Sequence, residues 1–259
     1  PAGFTVSRQD EQSPSYEEFL ASYDPNSRAE KGVFYTPSAV VAWMVQAVDE
    51  QMTTALPEAF GLAPSEQQDG GESPAPIEIL DPAAGTGVFL IEVIEQVFHK
   101  MTSVWDQEGL SPHEINERWN YYLPGCLLPR LTGFELMLPA ALLGQVMMLQ
   151  KMADTGFRFQ EPGQLQFHVL DTMAEPGVEG EYDQPLQDHL QYLEQLRLHK
   201  RFTVILGNPP FSGVSMNDVP WVGKLMRGQP PLGTRNQLSQ LENYYQVQGE
   251  PLGERKVWL

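Results

Sequence analysis

Ile77-Glu78-Ile79-Leu80-Asp81-Pro82-Ala83-Ala84-Gly85-Thr86-Gly87, followed by apolar residues at helical spacing from Val88 to Lys100, is the stretch that decides the fold. Its first four residues form a short β-prone run, Asp81 to Gly87 turn the chain, and the segment from Val88 onward predicts a helix. Strand, glycine loop and helix in that order is one unit of a parallel α/β sheet. The grammar repeats. Leu131-Thr132-Gly133-Phe134-Glu135 predicts a second strand before a helix over 138–152. Phe167-His168-Val169-Leu170 predicts a third before a helix near 186–199, and Phe202 to Gly207 predict a fourth. The fourth strand runs straight into Asn208-Pro209-Pro210-Phe211.

Outward from these units the chain is less regular. Thr36 is placed to cap a helix whose first residue would be Pro37, and Val40, Val41, Met44, Val45, Val48 and Met52 give it one apolar face over 38–55. Residues 56–76 are rich in Pro and Gly and read as a surface loop. Residues 101–130 read as an insertion carrying a helix near 112–122, capped by Ser111 and opened by Pro112. Residues 212–259 read as loop with a short helix at 236–245. The division expected is an N-terminal arm or linker over 1–30, a core over 31–213 and a loop-rich extension over 214–259.

Composition bounds the function. Of 259 residues, 41% are hydrophobic and 10% aromatic, enough for a packed interior. No apolar run of about 18 residues occurs and the first twenty residues lack a signal-peptide plan, so the reading is cytoplasmic, with no membrane partner. Cys126 has no disulfide partner in the chain, and five scattered histidines offer no metal-ligand spacing, so no metal is expected. A net charge of −18 opposes phosphate backbones. Half of the basic residues do cluster late, as Arg197, Lys200, Arg201, Lys224, Arg227, Arg235, Arg255 and Lys256.

In a doubly wound sheet the first three strands build outward and the fourth returns to the other side of the first. That reversal opens a crevice at the strand ends, here at Asp81 and Asn208. Gly85 and Gly87 remove side chains where a ligand must approach the backbone, and the helix opening at Val88 adds a positive dipole end, which suits an adenosine-type cofactor. A third glycine at dinucleotide spacing is missing, against a nicotinamide or flavin oxidoreductase. Glu135, ending the second strand, is placed to accept from ribose hydroxyls, and Asp171 ends the third strand at the same edge. Two prolines after Asn208 remove two backbone donors, leaving carbonyls beside an amide oxygen. An exocyclic purine amino group needs such acceptors, because its lone pair is delocalised into the ring until its hydrogens are held. Phe211 would lie against the ring face, a stacking contact worth roughly 1–3 kcal/mol.

Taken together, Tyr35-Thr36-Pro37, the loop from Asp81 to Gly87, Gly133-Phe134-Glu135, Leu170-Asp171 and Asn208-Pro209-Pro210-Phe211 resemble the adenine-N6 DNA methyltransferases of the gamma arrangement. Lys31 to Pro37, Leu128 to Leu136 and Asn243 to Leu259 are similar to single-chain restriction-modification proteins of the type ISP and type IIG kind. The resemblance implies the Rossmann-like fold of S-adenosylmethionine-dependent methyltransferases, truncated after the fourth strand, with an open sheet edge. It implies S-adenosylmethionine as cofactor and double-stranded DNA with a flipped adenine as partner, beside further domains of a longer polypeptide. It places Tyr35, Thr36 and Pro37 at the methionine end of the cofactor, and Asp81, Pro82, Ala83, Gly85, Thr86 and Gly87 in its main loop. Glu135 falls on the ribose, and Asp171 and Thr172 near the adenine. Asn208, Pro209, Pro210 and Phe211 become the catalytic clamp on the target base. A protein-glutamine or RNA amino-methyltransferase, or a cofactor-binding module without activity, would share both loops.

Overall fold

The structure, a computed structural model, describes residues 36–55, 60–63, 77–159, 165–174, 177 and 183–209. The chain divides into two compact units, Pro1–Leu170 with Arg201–Pro210, and Asp171–Lys200 with Phe211–Leu259. Within the first lie α1 (Ser38–Ala55), β1 (Ile79–Asp81), α2 (Val88–Gln107), α3 (Pro112–Tyr122), a π-helical turn (Leu123–Leu127), a 3-10 turn (Leu128–Arg130), β2 (Leu131–Glu135), α4 (Leu138–Asp154), β3 (Gln166–Val169) and β4 (Val204–Ile205). The second contains α5 (Gln184–His199). The expected arm over 1–30, the extension over 214–259 and its helix at 236–245 lie outside the described residues.

The four strands form one parallel sheet in the order β3-β2-β1-β4. Ile79 is in register with both Leu131 and Val204, so β1 is the central strand on which the others align. This is the doubly wound order, and the reversal lies between β1 and β4. The strands are shorter than the apolar runs that predicted them, because only residues with a partner strand are paired. β1 starts at Ile79, not Ile77, and β4 is two residues long. Backbone bonds still flank it, with Leu206 N–H donating to the Leu80 carbonyl at 2.9 Å.

Right-handed crossovers that step the same way across a sheet put their helices on one face. α2 accordingly packs against both α1 and α4. It buries Phe89, Leu90, Val93, Ile94, Val97, Met101 and Trp105, a stripe at three- and four-residue spacing. Met101 and Trp105 continue that stripe beyond Lys100, so residues 101–107 extend α2 and do not belong to an insertion. Gly109, at φ +89°, ends the run. α3 follows as predicted: Ser111 Oγ accepts from Glu114 N–H at 3.4 Å and Glu114 Oε2 accepts from Ser111 N–H at 2.8 Å, with Pro112 first in the helix. Tyr122 of α3 meets Trp105 and stacks on Trp119 in a buried aromatic cluster, and Trp119 Nε1 donates to Thr155 Oγ1 at 2.9 Å. Residues 111–128 therefore build core around the end of α2.

α1 begins differently from the sequence reading. Ser38 is its first residue, and the Pro37 carbonyl accepts from Val40 and Val41 N–H at 2.8 and 3.1 Å. Pro37 thus occupies the capping position expected for Thr36, whose hydroxyl is engaged elsewhere. Val41 and Val45 are buried, whereas Val40, assigned to the same apolar face, is exposed.

Phe167 of β3 is a tight packing point. Its ring fills the space a side chain would take at three glycines: a Cβ at Gly87, Gly133 or Gly144 would meet ring atoms at 3.1, 3.1 and 2.8 Å. Gly144 also faces the backbone of Thr86 at 3.1 Å, so neither neighbour can withdraw freely. Gly144→Val is expected to lower the unfolding free energy by about 1–3 kcal/mol through overpacking, despite better helix propensity, as read by denaturant titration.

Candidate active site

The loop after β1 is held from two sides. Ala84 N–H donates to the Phe134 carbonyl at 2.8 Å, and Gly87 N–H to the Ala84 carbonyl at 2.7 Å. Gly85 and Gly87 both sit in the left-handed region, at φ +56° and +78°. Their missing side chains serve different ends. At Gly85 no atom of the described residues lies within 4 Å of where a Cβ would stand, while at Gly87 the space belongs to Phe167. Only Gly85 clears an approach to the backbone from outside; Gly87 is required by the protein's own packing, contrary to the sequence reading of the pair.

Glu135 reaches this loop from the end of β2. Its Oε2 accepts from Gly85 N–H and its Oε1 from Met137 N–H, both at 2.8 Å. A carboxylate has about four acceptor sites, so these two bonds orient it and leave capacity for further donors. Pro82, Ala83 and Gly85 are half-buried and Thr86 is buried.

Asp81 ends β1 with its side chain fully buried. Oδ1 accepts from Ala83 N–H at 3.2 Å, and Oδ2 has no hydrogen-bond partner among the described residues. Burial pushes its carboxyl up from 3.8 to about 7, opposed by the Ala83 bond and assisted by the charge of Glu135. The carboxylate lies against Gly207, where any Cβ would overlap Oδ1. Sequence reading missed Gly207. Its only signal was a glycine at the end of an apolar strand, immediately before Asn208.

Asn208 donates from Nδ2 to Thr36 Oγ1 at 2.9 Å, and both residues are half-buried. Thr36, Pro37, the loop from Asp81 to Gly87, Glu135, Asn208 and Pro209 therefore share the first unit. Tyr35, Pro210 and Phe211 lie outside the described residues. Asp171 and Thr172 open the second unit, where Asp171 Oδ1 accepts from Met173 N–H at 2.8 Å. Arg197 secures the same segment, donating to the Ala174 carbonyl at 2.7 Å and to Glu194 at 2.7 and 2.9 Å, while Glu194 accepts from Gly177 N–H at 2.9 Å. With a side chain only 9% exposed, Arg197 is a structural clamp and not one of the phosphate-facing cations its place in the basic cluster suggested.

Because Asp81 is raised in the folded protein, the folded state holds an extra proton between about pH 4 and 7. Stability is then fullest below the unfolded value, falls as pH rises through that window, and levels above about 7. Asp81→Asn should flatten this decline, measured as unfolding free energy against pH; an unchanged slope would mean Asp81 ionises normally.

Among the described residues no helix is long and apolar enough to cross a membrane, and no three ligand-type side chains gather where a metal ion could sit. No curated protein matches the chain. Similar solved structures include a DrdV–DNA complex, 23% identical over 78% of this chain and 16% of that one, with a TM-score of 0.49. Another is the ATP-dependent Type ISP restriction-modification enzyme LlaBIII bound to DNA, 22% identical over 70% of this chain and 10% of that one, TM-score 0.42. A third is a nuclease-deletion mutant of the Type ISP restriction-modification enzyme LlaGI with a DNA substrate mimic, 18% identical over 80% of this chain and 15% of that one, TM-score 0.45. The chain spans less than a fifth of each of these solved chains. Residues 7–223 match the family model for N-6 DNA Methylase, which covers most of the sequence and both loops of the crevice. The chain belongs to the N-6 DNA methylase family.

Proposed function

We propose that this chain is the methyl-donor and target-base part of a DNA adenine-N6 methyltransferase from a restriction-modification system, with residues 31–213 as its catalytic core. The observation that carries this reading is the pairing of β4 with β1, which sets Asn208-Pro209 beside the loop from Asp81 to Gly87.

The residues present fit S-adenosylmethionine. Gly85 leaves open space at its backbone, Glu135 keeps acceptor capacity suited to a ribose diol, and the unpartnered Asp81 Oδ2 suits a cationic neighbour. Thr36 and Pro37, with Tyr35, would hold the methionine end. Asp81, Pro82, Ala83, Gly85, Thr86 and Gly87 would form the wall beneath it. When bound, the cofactor supplies an electrophilic methyl group on a sulfonium.

The protein's task is then to present a poor nucleophile to that group. Two acceptors, Asn208 Oδ1 and the Pro209 carbonyl, would hold the two hydrogens of the adenine amino group and favour a pyramidal nitrogen with an available lone pair. The prolines keep backbone donors away from that position. The adenine must leave the duplex to reach them, and Phe211 stacks on the extruded ring. Double-stranded DNA is the partner. With a chain carrying −18, the phosphate-binding surface has to be local or supplied by other parts of a longer polypeptide. The site of action is the cytoplasm.

Asn208→Ala should reduce methyl transfer to adenine in duplex DNA by at least about 100-fold. Binding of S-adenosylhomocysteine, followed by calorimetry, should stay within about threefold of the unaltered protein. Loss of both together would make Asn208 structural, and label appearing in protein or RNA instead of DNA adenine would overturn the choice of substrate.

A further inference from the structure

We infer that Thr36 is a positioning residue for the base clamp: its hydroxyl accepts from the amide nitrogen of Asn208 and so steadies the side chain with its amide oxygen left for the target amino group. This rests on the reading of Asn208 as the residue that holds the adenine.

An asparagine amide has two ends of nearly equal shape and opposite hydrogen-bonding sense. Only the oxygen end holds an amino hydrogen. With the NH2 end facing the base, donor would meet donor and the clamp would repel its substrate. In the orientation that serves the base, the NH2 end needs an acceptor of its own. Thr36 Oγ1 supplies it, accepting from Asn208 Nδ2 at 2.9 Å from 172 positions away in the sequence.

Both partners are held firmly enough for one bond to matter. Each directly precedes a proline, at Thr36-Pro37 and Asn208-Pro209, which excludes the helical region for its own backbone. On one side, the Pro37 carbonyl caps α1, and α1 is tied to α2 by Lys100 Nζ on Asp49 at 2.7 and 2.8 Å and by Gln96 Nε2 on the Ala42 carbonyl at 3.0 Å. On the other, Leu206 is bonded to Leu80 and Gly207 lies against Asp81. Thr36 is thus carried on a helix whose neighbour α2 grows out of the cofactor loop, while Asn208 is carried on the strand paired with β1. Thr36, which the resemblance places at the methionine end of the cofactor, has its hydroxyl engaged by Asn208, leaving the backbone of this segment for the cofactor.

The test compares Thr36→Val, which is isosteric and lacks the hydroxyl, with Thr36→Ser, which keeps it, in both the Asn208 and the Asn208→Asp background. The readouts are the Asn208 side-chain amide signals in nitrogen-correlated NMR, identified by their absence in Asn208→Asp, affinity for S-adenosylhomocysteine, and single-turnover transfer to duplex adenine. Thr36→Val should shift the Asn208 amide signals and slow transfer roughly 10- to 100-fold, with cofactor affinity within about threefold. Thr36→Ser should restore both. In the Asn208→Asp background, where either oxygen can accept, removing the hydroxyl should cost much less. Unchanged amide signals in Thr36→Val, or a loss confined to cofactor affinity, overturns the inference and leaves the reading of Asn208 intact. If the unaltered protein neither binds S-adenosylhomocysteine nor transfers methyl, the reading itself fails and the inference falls with it.

Discussion

The pairing of β4 with β1 is the contact on which the rest of this site depends. Had the fourth strand continued outward beside β3, the loops after β1 and β4 would stand at opposite ends of the sheet, three strand spacings of roughly 4.8 Å apart. By returning to β1 it places their ends side by side. Register does the rest. Ile79 and Leu80 align with Val204 and Ile205, so Asp81 and Gly207 leave the sheet at adjacent points and the Asp81 carboxylate presses on a position only glycine can occupy.

That contact is costly for the fold. A carboxyl removed from water with one oxygen unpartnered is destabilising in its charged form, which is why it is raised to about 7. Structures commonly tolerate such a group where function uses it, because a buried polar atom left over from folding is available to a ligand. The surroundings are correspondingly rigid. Phe167 wedged among Gly87, Gly133 and Gly144 locks the start of α2, the middle of β2 and the middle of α4 into one block, and Glu135 ties β2 to the loop at Gly85. A loop stiffened in this way loses little freedom when a ligand binds.

Much of the architecture was legible because it rests on short-range patterns. Apolar spacing identified α1, α2, α4 and α5 to within a turn in most cases, and Ser111, Pro112 and Glu114 carry the capping box of α3 in four residues. Where the reading failed, a distant contact decided. α2 runs on to Gln107 because Trp105 has Tyr122 to pack against, itself stacked on Trp119, and nothing near Trp105 in the sequence announces them. Thr36 carries the composition of a cap but faces Asn208, and a local rule cannot see a partner 172 positions away. Arg197 looked like surface charge until Glu194 and the Ala174 carbonyl enclosed it.

By itself the sequence determined the parallel α/β class, the order of its units and the residue types at both loops, since strand propensity, helical periodicity and proline or glycine stereochemistry act between neighbours. Only the tertiary structure decided which glycine borders open space and which faces Phe167, why Gly207 must be glycine, and which way the Asn208 amide is turned. Each of those depends on atoms brought together by strand pairing and helix packing, and a residue's role at such a point is set by what lies across the contact.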